Sequence, residues 1–229
     1  MWSSPFDDRR DAGRQLGAVL RPLGPSSGVV VLGLPRGGIP VAFEVASIIE
    51  APLDVCVVRK LGVPGHEEVA MGAIATGGVE MLNTRTIRAL QITPEAITRT
   101  LDRERRELER RERAYRGDHP PVEIRGRTVI LVDDGLATGA SMTAAVTALR
   151  RRGPRAIVVA VPVASTSACA DLRRLTDGCV CVVTSEPFQG VGQWYADFSQ
   201  TTDDEVRELL TAARSRSPAQ APSGAELTA

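Results

Sequence analysis

Aromatic side chains are scarce in this chain, with four Phe, two Tyr and two Trp among 229 residues. A core must therefore be built from aliphatic and small residues, and an apolar content of 43% suffices for one compact α/β domain. Histidine is scarcer still, limited to His66 and His119, and the four cysteines (Cys56, Cys169, Cys179, Cys181) contain no Cys-x-x-Cys. That spacing argues against a zinc module. Cys179 and Cys181 fall in the apolar run Cys179-Val180-Cys181-Val182-Val183, which reads as a strand. Residues two apart on a strand share a face, with Cβ atoms too distant for an easy disulfide. The cysteines read as small buried thiols of a reducing cytosol. Charge of either sign is not in excess, since 28 Lys+Arg balance 28 Asp+Glu. A globally basic nucleic-acid binder is thereby excluded, although a local patch is not. No run approaches the ~18 apolar residues that span a bilayer. The N-terminal Met1-Trp2-Ser3-Ser4-Pro5-Phe6-Asp7-Asp8 carries acids where a signal peptide carries bases and an apolar run. A cytoplasmic chain without membrane or nucleic-acid partners is expected.

What is present is an alternation of short apolar runs and amphipathic stretches. Ala12, Leu16, Val19, Leu20 and Leu23 recur at helical spacing and predict a helix over residues 6–23. Val29–Leu34, Leu53–Val58, Val129–Val132, Ala156–Val163 and Cys179–Val183 read as strands, mostly continuous apolar runs of the kind buried on both faces of a parallel sheet. Helices are expected at 39–50, 141–152 and 167–175, and a long one at 94–116, capped by Thr93 with Pro94 in its first turn. Glu107–Arg111, Glu109–Arg113 and Glu112–Arg116 are acid-before-base pairs at i,i+4, so the arginines here read as a solvated helix face. Residues 61–68 read as a mobile loop, and 69–76 as an extended pairing segment turned back at Gly77-Gly78. The expected fold is α/β, an open, mostly parallel sheet with helices on both faces.

The stretch that carries chemistry is Val129-Ile130-Leu131-Val132-Asp133-Asp134-Gly135-Leu136-Ala137-Thr138-Gly139-Ala140-Ser141. A buried strand ends in two adjacent carboxylates, and a loop of small and hydroxyl residues then opens a helix. Ligands of open α/β sheets bind beyond the carboxyl ends of strands, and a glycine-containing loop at a helix N-terminus offers free N–H groups to an anion. Paired acids accept hydrogen bonds from vicinal hydroxyls or hold Mg²⁺. A sugar phosphate satisfies all of these. Neither G-x-x-x-x-G-K-[ST] nor G-x-G-x-x-G occurs here.

The thirteen-residue string resembles the phosphoribosyl pyrophosphate (PRPP) signature of type I phosphoribosyltransferases. The resemblance implies that Asp133 and Asp134 meet the ribose hydroxyls, with Mg²⁺ held by them through water or through PRPP. It implies that Gly135, Leu136, Ala137, Thr138, Gly139, Ala140 and Ser141 wrap the 5′-phosphate. Gly135 departs from the family pattern, where an apolar residue is usual, and is expected to cost rigidity. Pro35-Arg36-Gly37-Gly38 lies where the family places a pyrophosphate loop, often with a non-proline cis peptide, for which Arg36–Gly37 is the candidate. Arg59 and Lys60 correspond to a basic pair used on pyrophosphate, and 61–68 to a loop that closes over the substrates. Asp133, Asp134, Arg36 and Lys60 are the expected catalytic residues, with Glu67 or Glu68 as a further loop candidate. Phe6–Gly13, Asp133–Gly139 and Val191–Phe198 are similar to a bacterial group of the family whose acceptor is unsettled.

Phe188, Trp194, Tyr195 and Phe198 gather half of the aromatics within eleven residues. Trp194, Tyr195 and Phe188 are candidates to stack on a flat acceptor, and a small satellite core is the equal alternative. Ala137 stands where salvage enzymes for 6-oxopurines carry an Asp, and Pro162-Val163-Ala164-Ser165-Thr166 lacks their lysine. The resemblance thus implies transfer of the 5-phosphoribosyl group of PRPP to a nitrogenous acceptor, a nucleobase or similar, with release of pyrophosphate, and these two positions count against hypoxanthine or guanine. A PRPP-binding regulator without turnover is the alternative, and a homodimer is allowed. Residues 1–214 are expected as one domain, with a hood near 184–200 and a helical insertion near 83–118, followed by a disordered tail at 215–229.

Overall fold

A computed structural model describes residues 5–24 and 28–216. Strands β1 (Val29–Gly33), β2 (Leu53–Val55), β6 (Thr128–Val132), β7 (Ala156–Ser165) and β8 (Gly178–Ser185) form one sheet in the order β2-β1-β6-β7-β8. Every pairing in it is parallel. Helices α1 (Arg9–Leu20), α2 (Gly38–Ile48) and α7 (Asp203–Arg216) cover one face, and α5 (Ala140–Arg150) and α6 (Thr166–Leu175) the other. The period of two along β1 sorts its side chains accordingly. Val29 and Val31 join the core beneath α1 and α2, whereas Val30 and Leu32 join that beneath α5 and α6.

A second sheet is antiparallel and has the order β3-β4-β5, formed by β3 (Val58–Val63), β4 (His66–Ala75) and β5 (Val79–Leu82). This divides the expected strand Leu53–Val58. Cys56 N–H still bonds Gly33 O at 2.9 Å, whereas Val57 N–H goes to Thr76 Oγ1 at 2.8 Å, so the chain leaves the parallel sheet within a single apolar run. The segment 61–68, expected as a loop, is likewise the body of a hairpin: Leu61 registers with Gly72 and Val63 with His66. Residues 69–76 and the turn at Gly77-Gly78 form as expected, both glycines having positive φ.

α3 (Thr84–Ala89) and α4 (Pro94–Arg116) follow. Thr93 caps α4 by accepting from Ala96 N–H, and of the three i,i+4 pairs Glu107–Arg111 and Glu112–Arg116 form. The inner face of α4 buries Leu108 and Tyr115 in the core beneath α2 and α7. Its C-terminal end is anchored by Arg116, whose Nε lies 3.0 and 3.2 Å from the carboxylate oxygens of buried Asp54 on β2. α7 was not foreseen, and it runs through Arg216, past the expected start of the tail; residues 217–229 lie outside the described ones. Among the described residues no helix is long and apolar enough to cross a membrane.

Candidate active site

β6 is fully buried from Val129 to Val132, and its apolar run delivers Asp133 and Asp134 to the carboxyl end of the central strand. The turn after β1 lies directly against them. A Cβ on Gly38 would sit 2.9 Å from Val132 O and 3.0 Å from Asp133 Oδ1, and one on Gly37 would strike the Asp134 carboxylate. Gly37 and Gly38 are therefore required for close approach, with φ at Gly37 an ordinary −60°. The non-proline cis peptide is Pro35–Arg36 and not Arg36–Gly37.

Among the described residues, Arg9 is the cation that faces the two carboxylates. Arg9 Nε donates to Asp134 Oδ2 at 2.9 Å, and its guanidinium also reaches Ser199 O at 2.6 Å while lying 3.9 Å from the Phe198 ring centroid. Asp133 Oδ1 accepts from Asp134 N–H at 2.9 Å. Burial pushes the Asp133 carboxyl well above its usual range, and the neighbouring Asp134 charge adds to the rise. Burial raises Asp134 too, against the opposing pull of Arg9. The pair is thus short of positive charge and of hydrogen-bond donors, which suits ribose hydroxyls or a hard divalent cation such as Mg²⁺. Arg9 carries no assigned role in the sequence, since the contact spans 125 positions; the signal was its place in the Phe6–Gly13 segment and in the first turn of the N-terminal helix.

Helix starts separate the site from the rest of the molecule. α1, α3, α4 and α6 each begin with a side-chain cap, from Asp8, Asn83, Thr93 and Ser165 respectively. α2 and α5 begin at the site, after Gly37 and Gly139, with no side-chain cap. The start of α5 is the more open of the two, since Ala140 N–H reaches only Thr138 Oγ1, at 3.5 Å, whereas at α2 the N–H groups of Gly38 and Ile39 already donate to Leu34 O at 3.0 Å and Arg36 O at 3.1 Å; both dipoles present a positive end. Gly139 adopts φ 69°, ψ 8°, a left-handed conformation that suits glycine. Ala137, Thr138, Ala140 and Ser141 are exposed. Leu136 differs: it is buried, and its N–H donates to Val163 O at 2.9 Å while its carbonyl accepts from Ser165 N–H at 2.8 Å. This residue staples the loop to β7, so its N–H is not available to a phosphate. Gly135 is explained by space and not by looseness. A Cβ there would lie 2.6 Å from Val191 Cγ1 and 3.0 Å from Val163 Cγ1.

Arg36 faces outward, 3.9 Å from Asp203 Oδ1 at the start of α7. Arg59 and Lys60 lie on β3, in the second sheet, and do not end a strand of the first. Arg59 is bound to Glu104 of α4 at 2.6 Å, and Lys60 Nζ donates to Glu68 O across the hairpin at 3.0 Å. Both cations therefore brace the hairpin rather than joining the 35–38 turn. Glu104, the partner of Arg59, carried no sequence signal.

The aromatic cluster forms a satellite core. Trp194 and Tyr195 are buried with Phe6, Ala12 and Val163, and Phe188 stacks on Trp194 with centroids 6.1 Å apart. Trp194 and Tyr195 therefore offer no open ring face, each being only 5% exposed; Phe188 remains half-buried. Tyr195 Oη donates to Asp134 O at 2.5 Å, and the strand-like pairing of Phe6 with Tyr195 carries Arg9 to the aspartates. Burial raises the Tyr195 hydroxyl far above its normal range, so it stays a donor.

Comparisons with known proteins agree with this geometry. The phosphoribosyl transferase domain family matches residues 19–193. A curated Mycobacterium tuberculosis protein, named "Putative phosphoribosyl transferase" in two strains, is 46% identical over 205 residues. The match covers 90% of this chain but 46% of that protein, so the chain spans about half the length of these curated relatives. The crystal structure of TT1426 from Thermus thermophilus superposes with a TM-score of 0.80 at 43% identity, covering 90% of this chain and 98% of that one. The chain belongs to the phosphoribosyl transferase domain family.

Proposed function

We propose that the chain transfers the 5-phosphoribosyl group of PRPP to a nitrogenous small-molecule acceptor and releases pyrophosphate. The observation that carries this reading is the pair of helix starts without side-chain caps, α2 and α5, flanking two under-neutralised carboxylates. PRPP has the complementary layout, with a phosphate at one end, a pyrophosphate at the other and two hydroxyls between.

In this reading the N–H groups of 137–141 and the Thr138 and Ser141 hydroxyls bind the 5′-phosphate. Asp133 and Asp134 accept from the ribose hydroxyls and hold the sugar while positive charge builds at C1. The backbone of 36–37 and the positive end of α2 take the pyrophosphate, Gly38 N–H being held by Leu34 O, and Arg36, which is half exposed and only loosely held by Asp203, turns onto it as charge develops there. Arg59 and Lys60 join that role only if the β3–β4 hairpin moves, since both are engaged elsewhere. Oxygen ligands from Asp133 and Asp134 fit Mg²⁺, which when bound with PRPP supplies neutralisation of the leaving group. Ala137 and the lysine-free segment 162–166 count against a 6-oxopurine acceptor.

The test is pyrophosphate release from Mg·PRPP with a panel of purines, pyrimidines and amines, beside calorimetric titration of PRPP. Turnover on one acceptor supports the transferase. Binding without turnover on any acceptor supports a regulator, which the engagement of Arg59 and Lys60 favours. Failure to bind PRPP removes both.

A further inference from the structure

At the edge of the parallel sheet, near the amino end of β8 and so away from the strand ends that carry the active site, three sulfurs converge. Cys169 comes from α6, and Cys179 and Cys181 from one face of β8. The Sγ separations are 2.9 Å for Cys169–Cys181, 3.7 Å for Cys169–Cys179 and 3.8 Å for Cys179–Cys181. Cys169 is buried, whereas Cys179 and Cys181 are half-buried, so the cluster has a core side and an accessible side. All three are free thiols. A disulfide would join two and leave the third.

Metal–sulfur geometry accounts for all three. Tetrahedral coordination with bonds of about 2.3 Å spaces its sulfurs about 3.8 Å apart. Two of the three edges already have that length, and side-chain rotation of Cys169 or Cys181 would open the third by about 0.9 Å. Cys56, buried in the core beneath α5 and α6, stands apart from this trio.

We propose that Cys169, Cys179 and Cys181 form a binding site for a thiophilic d¹⁰ cation, zinc(II) above all, with a fourth coordination position left to solvent. Binding releases three protons and forms three metal–sulfur bonds. The site then carries a net charge of −1, with Arg173 beside it. Thiolates select soft cations and the oxygens of Asp133 and Asp134 select hard ones, so the two sites do not compete for one metal. The bound cation ties α6 to the edge strand β8.

The experiment is titration of the fully reduced chain with Cd²⁺, followed by the ultraviolet sulfur-to-cadmium charge-transfer band, and competition by Zn²⁺. The expected result is one equivalent bound, displaced by Zn²⁺, with affinity lowered about 100-fold or more in Cys181→Ser and in Cys179→Ser. Cys56→Ser should leave the band and its midpoint unchanged, and circular dichroism without metal checks the fold of each variant. No band at one equivalent in the wild-type chain overturns the site, as does an unchanged band in folded Cys181→Ser or its loss in folded Cys56→Ser. PRPP binding is not involved, so the result stands apart from the proposed transferase.

Discussion

Asp54 is a buried carboxylate and the Asp133–Asp134 pair is half-buried, each facing one arginine, yet they are completed to different degrees. Asp54 accepts from Arg116 Nε at both oxygens, from Val55 N–H at 2.8 Å and from Val122 N–H at 3.0 Å, and Arg116 also donates to Val55 O at 3.0 Å. Its charge is met at short range by Arg116, which Glu112 also approaches at 3.6 Å, and its hydrogen bonds join β2, the end of α4 and the chain beyond. At the strand ends two carboxylates share Arg9, burial pushes both upward, and the adjacent turns rely on glycines that let backbone approach. A satisfied ion pair is an anchor, and breaking it leaves a buried charge uncompensated. An unsatisfied pair is held ready for a partner from outside, at a cost in stability of the empty protein.

The largest expected effect lies on the anchor. Asp54→Ala should destabilise the fold by about 3–5 kcal/mol, because Arg116 is left buried without its hydrogen-bonded partner and with Glu112, 3.6 Å away, as its remaining counter-charge; denaturant unfolding measures it, and a loss below ~1 kcal/mol would break the contrast. Next comes the open pair. Asp133→Asn with Asp134→Asn should weaken Mg·PRPP binding by a factor of about 100 or more, ~2.7 kcal/mol, with the fold retained, as read by calorimetry and circular dichroism. Unchanged affinity would remove the pair from the site.

Gly135→Ala should cost about 1–3 kcal/mol through overlap with Val191 and Val163, and Val191→Ala in the same chain should recover part of it. A double-mutant cycle in thermal unfolding gives the coupling. The smallest effect concerns pH. A carboxyl raised in the folded state holds its proton longer than in the unfolded chain, so its favourable contribution is complete below the ordinary value near 4 and fades as pH climbs through the raised one. The ligand-free protein should therefore lose stability across that window, and Asp133→Asn should flatten the loss and raise stability at neutral pH by about 1 kcal/mol. A melting temperature that rises through the window in wild type would contradict the raised carboxyl.

Legibility followed the range of the interactions. β1, β6, β7 and β8 and the helices between them show in the sequence because burial on both faces writes continuous apolar runs. The long helix 94–116 shows because cap, proline and i,i+4 charges are all local. The run Leu53–Val58 concealed a break, since Cys56 and Val57 are equally apolar and only their partners, Gly33 O and Thr76 Oγ1, differ. Residues 61–68 are rich in glycine and charge and read as a loop until β3 pairs with β4, whereas 69–76 already read as an extended pairing segment. Asp133, Asp134 and the turn 35–38 were legible as ends of recognisable strands, whereas Arg9, Glu104, the meeting of Cys169 with Cys179 and Cys181, and the reason for Gly135 each depend on a residue elsewhere in the chain.

By itself the sequence determined the layered α/β order, the parallel sheet and the loop of two acids, small residues and a helix start, since each is encoded by neighbours a few positions apart. Only the tertiary structure decided which cations meet those acids, which of the loop's N–H groups are left for an anion, that two aromatic rings are core and not platform, and that three thiols share one point. Those outcomes turn on distances between segments, and a sum of local preferences contains no such distances.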